Sequence, residues 1–334
     1  MKKKNESCPY CKSNEIKVLR TYNTKSSGEH ELLCCCSCNS TFSATYGSLL
    51  HRLHTPVSRV IMILKNVCEG VGINAVTRTF NVSKNTIYSW LSKFSKLKEV
   101  IFLYSLCAKY ISMVIEGDEL YTKVNKNVPQ EDSLGWTIVF IERRTRFLWL
   151  MKCGKKDKQL FKDAIRVLYD IIKQTDDFKL FTDGERRYSN MLFEICFELM
   201  YTGHRPRKTF KKGVQVRLKN KGSRKHKPGP KPRKYVQPKP ECPDTINTIE
   251  NSDIHANHTE AFNASLRRKC AAYRRKTNTY AKNTDKLQQR LDLIWIKHNF
   301  VDKHFTTKKI PAVELGIVEN GFTFEDLFYI RIIA

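Results

Sequence analysis

Ser112-Met-Val-Ile-Glu-Gly-Asp118 is the stretch on which the fold of this chain turns. It is a short apolar run ending in acids, and from Ser112 onward the periodicity changes. Segments 113–115, 136–141 and 147–151 read as strands, rich in β-branched and aromatic residues and bounded by turn residues. Leu160, Phe161, Ile165, Leu168 and Ile172 then recur at helical spacing, and Phe178-Lys-Leu-Phe181 reads as a fourth strand running into Thr182-Asp183-Gly184. Three strands, a helix and a strand predict a mixed α/β sheet whose first and fourth strands lie side by side. Asp118 and Asp183 can then meet despite lying 65 positions apart. Taken alone, Asp183-Gly184 is turn chemistry.

That element order opens the ribonuclease-H-like α/β fold, which is the expected core of residues 109–305. A third acid, Glu260, falls in the helical stretch His255-Ala-Asn-His-Thr-Glu260-Ala-Phe-Asn-Ala-Ser-Leu-Arg267-Arg268. On a helical wheel Ala264, Arg267, Ala271 and Arg274 follow Glu260 within roughly 40° of one line, while Phe262, Leu266, Cys270 and Tyr273 occupy another face. The acid therefore faces away from the core, where Arg267 can hold a DNA phosphate; by itself such a stripe is an ordinary solvated face. Two strand-end aspartates and a helix-borne glutamate form the donor set of a hard divalent cation pair. Mg²⁺ (or Mn²⁺) takes carboxylate oxygens and keeps positions for phosphate and water. Glu116 shares a strand face with Asp118 and reads as surface charge rather than a spare ligand, and Glu119 points away. His255 and His258 lie close to Glu260 and read either as contacts to phosphate or water, or as satisfied structural histidines.

Six of the twelve cysteines fall before residue 40. Cys8-Pro-Tyr-Cys11 and Cys35-Cys-Ser-Cys38 are two C-x-x-C pairs, each able to aim two sulfurs at one ion, so residues 1–48 read as a zinc ribbon with a structural, four-thiolate Zn²⁺ site. In the run Cys34-Cys35-Cys36-Ser-Cys38 the spacing selects Cys35, with Cys34 or Cys36 as substitutes in an altered register. Residues 49–108 read as a helix-turn-helix domain. Thr55-Pro56 starts a helix carrying Val57, Val60, Ile61, Leu64 and Val67; a second places Ile73, Val76 and Phe80 on one face; Ser83 caps a third with Ile87, Trp90, Leu91 and Phe94 inward. Exposed Lys84, Asn85, Thr86 and either Tyr88 or Ser89 would face a DNA major groove; a plain three-helix domain uses the same apolar pattern.

Sixty Lys+Arg against 33 Asp+Glu in 334 residues give a formal net charge of +27, which implies a polyanionic partner through counterion release. Nucleic acid is the expected partner, and an anionic membrane surface the weaker alternative. The longest apolar stretch, 100–115, is interrupted by Lys109 and is too short to span a bilayer, and the start Met-Lys-Lys-Lys-Asn-Glu lacks an apolar signal core. A soluble, cytoplasmic protein with no membrane partner is expected. Between His204 and Pro240 there are fifteen Lys/Arg and no acid, with Arg233 and Lys234 closing a Pro-Gly-rich centre. This basic insertion, at about 204–240, reads as an extended or disordered arm on DNA backbone, unable to build a packed core. Helical residues around Leu287 to Asn299 and a C-terminal extension, 306–334, complete the chain.

Ile115-Glu-Gly-Asp118-Glu-Leu-Tyr, Phe181-Thr-Asp183-Gly-Glu-Arg-Arg-Tyr188 and the run from His255 through Glu260, Asn263 and Arg267 to Lys276 closely resemble the transposases of the insertion-sequence-one family, in its longer single-chain form. The Cys8-Pro-Tyr-Cys11 pair, the helix-turn-helix pattern and Lys309-Ile-Pro-Ala-Val-Glu-Leu-Gly316 sit in matching order, so the likeness covers almost the whole chain. It implies a DDE triad of Asp118, Asp183 and Glu260 holding two divalent ions. It also implies cleavage at element ends and strand transfer into target DNA, DNA contacts that include Arg267, Arg268 and Arg274, and a homodimer or higher assembly in a prokaryotic cytoplasm. A catalytically inactive DNA-binding regulator and a nuclease without strand transfer are the alternatives.

Overall fold

The stretch from Ser112 to Asp118 lies in the centre strand of a five-stranded sheet. The computed structural model describes residues 7–25, 28–125, 128–182, 185–201, 206–210, 214–218, 220–221, 235–236, 255–274 and 279–332. The sheet is built from β4 (Tyr110–Tyr121), β5 (Trp136–Glu142), β6 (Leu148–Gly154), β7 (Thr175–Thr182) and β10 (Val214–Leu218), in the order β10-β7-β4-β5-β6. β4, β5 and β6 form an antiparallel meander, and β7 and β10 run parallel to β4. The first and fourth strands of this region are neighbours, with Glu116 paired to Phe181.

Two expectations change here. Asp118 does not end its strand: β4 continues to Tyr121, paired with β5 throughout, and only the pairing with β7 stops, at Glu116. The basic insertion is also not wholly an extended arm. Its residues 214–218 are the edge strand of the sheet, with Val214 and Val216 buried against it. The alternation of Val214, Val216 and Leu218 with Gln215 and Arg217 is a strand period that the density of charge obscured. Upstream, β8 (Phe197–Tyr201) and β9 (Pro206–Phe210) form a separate antiparallel pair. Residues 222–234, including Arg233 and Lys234, lie outside the described residues.

α4 (Lys158–Ile172) and α5 (Arg186–Cys196) cover one face of the sheet, where the Tyr188 ring meets Phe140 and Phe161. Gly117 makes this packing possible, since a Cβ there would fall 2.8 Å from the Phe140 ring. α6 (Asn257–Lys269) and α7 (Thr284–Ile296) cover the other face; Gln288 of α7 and Asn299 just beyond it hydrogen-bond the backbone of β6.

α1 (Val57–Cys68), α2 (Ile73–Phe80) and α3 (Lys84–Ser105) precede the sheet and share one continuous apolar core with it. Pro56 has an extended backbone (ψ 134°) and is itself the N-cap residue of α1, so the helix starts one residue later than Thr55-Pro56 predicts. Asn81 ends α2 in the left-handed region (φ 47°), and the Ser83 hydroxyl accepts the Thr86 N–H to cap α3. Arg290 of α7 donates to the Val67 carbonyl at the end of α1, and Ser95 of α3 donates to Asp292. The C-terminal segment folds back on the same core: Phe324 and Phe328 pack against Phe94, while Arg331 and Ile332 donate to the Ala44 and Gly47 carbonyls.

The N-terminal residues form a separate antiparallel sheet of β1 (Ile16–Thr24), β2 (Gly28–Cys35) and β3 (Thr41–Ser43). Its buried centre is only Cys8, Leu33, Cys35 and Phe42. Among the described residues no helix is long and apolar enough to cross a membrane.

Candidate functional site

Cys8, Cys11, Cys35 and Cys38 bring their sulfurs within 4.8 Å of one another. The two knuckles repeat one backbone design. The first cysteine of each accepts an N–H from a left-handed residue four positions on, Lys12 (φ 64°) or Asn39 (φ 56°), and donates its own N–H to the serine after that, Ser13 or Ser40. Cross-knuckle sulfurs lie 3.6 Å (Cys8 and Cys38) and 3.5 Å (Cys11 and Cys35) apart, too far for disulfides and near the ~3.8 Å that four thiolates keep around one zinc ion. Hydrogen bonds from the Ser40 hydroxyl and backbone lower the Cys38 thiol to a pKa of about 6. Cys34 lies in β2 and Cys36 is exposed, both outside the cluster, which settles the register on Cys35. The four thiols can hold a structural metal such as zinc.

The second site lies where β4 meets α6. The N-terminus of α6 has no side-chain cap of its own. Glu116, which the sequence suggested as surface charge, is fully buried and supplies one. Its Oε2 accepts the backbone N–H groups of His258 (3.0 Å) and Thr259 (3.1 Å), satisfying amides that a helix start leaves open. Its Oε1 takes Arg143 Nε at 2.8 Å and lies 3.4 Å from His255 Nδ1. Arg143 also donates to the His255 carbonyl and lies over the Phe181 ring, so strand, turn and helix are fastened at one point. Glu116, His255 and His258 have metal-ligand spacing. The Arg143 guanidinium already bonded to that carboxylate makes the trio a clamp, since a second cation would be repelled there. Burial lowers the His258 pKa to about 4, so its imidazole is neutral at neutral pH.

Two residues along the same face, Asp118 is half-buried. Its Oδ1 accepts the Glu119 N–H, and its Oδ2 accepts Asn263 Nδ2 at 2.9 Å. Asn263 sits on α6 almost one turn after Glu260, and its own Oδ1 is buried with no hydrogen-bond partner. The helix bearing Glu260 is thereby bonded directly to Asp118. Glu260 is half-buried in the first turn of α6. Glu119 points to the opposite face, as expected, where Lys156 and Tyr188 hold it. Asp183 lies outside the described residues, one position beyond the end of β7.

The arginine stripe is shorter than the wheel predicts. α6 stops at Lys269 and Ala271–Tyr273 turn as a 3₁₀ segment, so Arg267 (half-buried) and Arg268 (exposed) share the helix with Glu260 while Arg274 does not. Ala271 is buried rather than on an outward stripe. On α3, Lys84, Asn85 and Ser89 are exposed. Thr86 is partly engaged in the cap, and Tyr88 is half-buried beneath Lys286 of α7, so of the Tyr88/Ser89 alternatives Ser89 is the one open to solvent.

Glu116 as a helix cap, Arg143 and Asn263 were not assigned from the sequence. The signal for Asn263 was present, since an asparagine in mid-helix at i+3 from an acid is poorly placed for helix stability and calls for a partner. No family model matches this chain, and no curated protein matches it.

Proposed function

We propose that this chain is a DDE-type DNA transposase. The observation that carries the reading is the Asn263–Asp118 hydrogen bond, which ties the Glu260 helix to the centre strand of the sheet. Strand order supports it, since β10-β7-β4-β5-β6 with an antiparallel opening meander is the ribonuclease-H-like arrangement. The register supports it too: β7 runs parallel to β4 with Phe181 beside Glu116, two residues short of Asp183 and Asp118 respectively. Asp118, Glu260 and the unsatisfied Asn263 Oδ1 are hard oxygen donors of the kind that fit Mg²⁺ or Mn²⁺. When bound, two such ions supply Lewis acidity for in-line displacement at phosphorus.

The chain's own residues then have distinct tasks. Asp118, Asp183 and Glu260 provide the negative charge that gathers the ions, and Asn263 orients Asp118. Arg267 and Arg268, on the helix of Glu260, neutralise strand phosphates. α2 and α3, read as a helix-turn-helix, present Lys84, Asn85 and Ser89 to the element ends, and the cysteine module, read as a zinc ribbon, adds a second contact surface. Acting on two ends requires two or more protomers.

The test is a strand-cleavage and strand-transfer assay with Mg²⁺ and the native ends. Asp118→Asn, Asp183→Asn and Glu260→Gln should each abolish both steps and leave end binding within about twofold, because a nearly isosteric change leaves the DNA contacts in place. Retained cleavage in any of the three would remove that residue from the triad. Cleavage without joining by the unaltered protein would assign it to the nucleases.

A further inference from the structure

On the far flank of α6 from Asp118, a cleft of about 420 Å³ opens between the helix, the turn that carries Arg146 and the loop 302–306. Its helical wall is the stripe Ala261, Ser265, Arg268, on the side of α6 opposite Asn263. Among the described residues four cations line it, Arg146, Arg268, Lys269 and Lys303, against one acid, Asp302, whose carboxylate already accepts from Lys297 at 2.7 Å. Arg146 is a non-glycine residue in the left-handed region (φ 66°) and its carbonyl is bonded to His298. Its Nη1 is buried with no hydrogen-bond partner. A guanidinium donor buried without an acceptor costs free energy that an entering anion would recover. Burial also lowers the Arg146 pKa, against the opposing pull of Glu116 and Glu142.

The rim carries the second observation. Phe305 lines the same cleft and is 84% exposed, an unusual setting for a phenyl ring, with the Lys308 ammonium 4.1 Å from its centroid. An aromatic face beside a cationic cleft matches a nucleotide unit, whose phosphate and base need those two surfaces. Paired bases in a duplex are stacked on each other and cannot offer a face to Phe305, and a buried Nη1 is reached only by a group that enters the cleft.

We propose that this cleft holds an unpaired nucleotide of a DNA strand, its phosphate on Arg146, Arg268 and Lys269 and its base against Phe305. The inference rests on the reading of the chain as a DNA-processing enzyme only for the polymer to which that nucleotide belongs. It gives the enzyme a grip on a single strand displaced or frayed next to the Glu260 helix.

The test is fluorescence anisotropy of the full chain with a labelled single-stranded oligonucleotide and with the duplex of the same sequence, at one salt concentration and without added divalent ion. Phe305→Ala removes an exposed ring and leaves the core untouched. It should weaken single-strand binding by about tenfold, the usual weight of one base–aromatic stack, and leave duplex binding unchanged. Arg146→Met should weaken single-strand binding as well, and inorganic phosphate should compete for the single strand on the unaltered protein but not on Arg146→Met. Equal losses on single strand and duplex, or no loss on either, would overturn the proposal. Phosphate competition with no effect of Phe305→Ala would overturn it in favour of a free-anion site. Cleavage is read in a separate assay, so a protein that binds this way but never cuts sinks the transposase reading alone. One that cuts normally with Phe305→Ala binding unchanged sinks this inference alone.

Discussion

The N-terminal cysteine sheet and the mixed sheet behind it are specified by different physics. In the first, β1 is mostly exposed and the buried centre is four residues, two of them cysteines. Burial on that scale cannot offset a backbone entropy cost of ~1–2 kcal/mol per ordered residue, and the four converging thiols are what remain to do so. In the second, Trp149, Trp295, Phe147 and Phe300 are fully buried in mutual edge contacts, and internal charges such as Glu116 are spent on several partners at once. A chain can thus fold one part on spacing between ligands and another on periodicity of apolar residues.

Four perturbations should separate the two regions. Chelation, or Cys35→Ser, removes a contribution on the order of 10 kcal/mol from the cysteine sheet. Hydrogen exchange across residues 16–43 should then become unprotected while β4 to β7 keep their protection; joint loss would mean the regions are one cooperative unit. Glu116→Ala removes the acceptor of Arg143 Nε and of two helix amides and should cost the body ~3–5 kcal/mol in chemical denaturation. Glu116→Gln, which keeps an acceptor, should cost clearly less, and metal content at the cysteines should stay constant in both. Phe94→Ala empties the contact with Phe324 and Phe328, with an expected loss of ~3–5 kcal/mol at most. If C-terminal anchoring matters to the cysteine sheet, this variant alone should also raise exchange at residues 44–48.

The smallest effect is with pH. Burial, the largest cause, pushes His298 down to a pKa of about 3 and His258 to about 4, from an ordinary value of 6.5. Folding therefore favours their neutral forms. The stability they contribute is complete above about pH 6.5, declines as pH falls below that value, and is gone once pH has passed about 4 for His258 and about 3 for His298. The denaturation midpoint of the body should fall between pH 7 and pH 5, and His298→Gln should shallow that slope; an unchanged slope would remove His298 from the account.

Most of the mixed sheet was legible because β5 and β6 are apolar runs of strand length and α4 is strongly periodic, and the cysteine pairs were legible because tetrahedral ligation demands that spacing. What escaped notice depended on charge being read without its partner. Glu116 looked like surface charge because nothing local announces that the distant N-terminus of α6 lacks a cap. β10 was hidden by the lysines around it, although Val214 and Val216 carry the strand period. Arg274 was placed on the α6 stripe because a wheel assumes that the helix continues, and the chain turns after Lys269. Glu260 and Asp118 could be named individually, but the bond through Asn263 that brings their elements together is a tertiary fact.

The hydrogen bond from Arg331 to the Ala44 carbonyl joins residues 287 positions apart. At ribosomal rates of ~5–20 residues per second, about 15–60 s pass between synthesis of these two partners. The cysteine sheet can bind a metal during that interval, and Leu49 and His51 just after it can meet Lys93 of α3, but the contacts of Arg331 and Ile332 must wait for the far end of the chain. The strap that closes over the cysteine sheet is therefore among the last things this protein acquires.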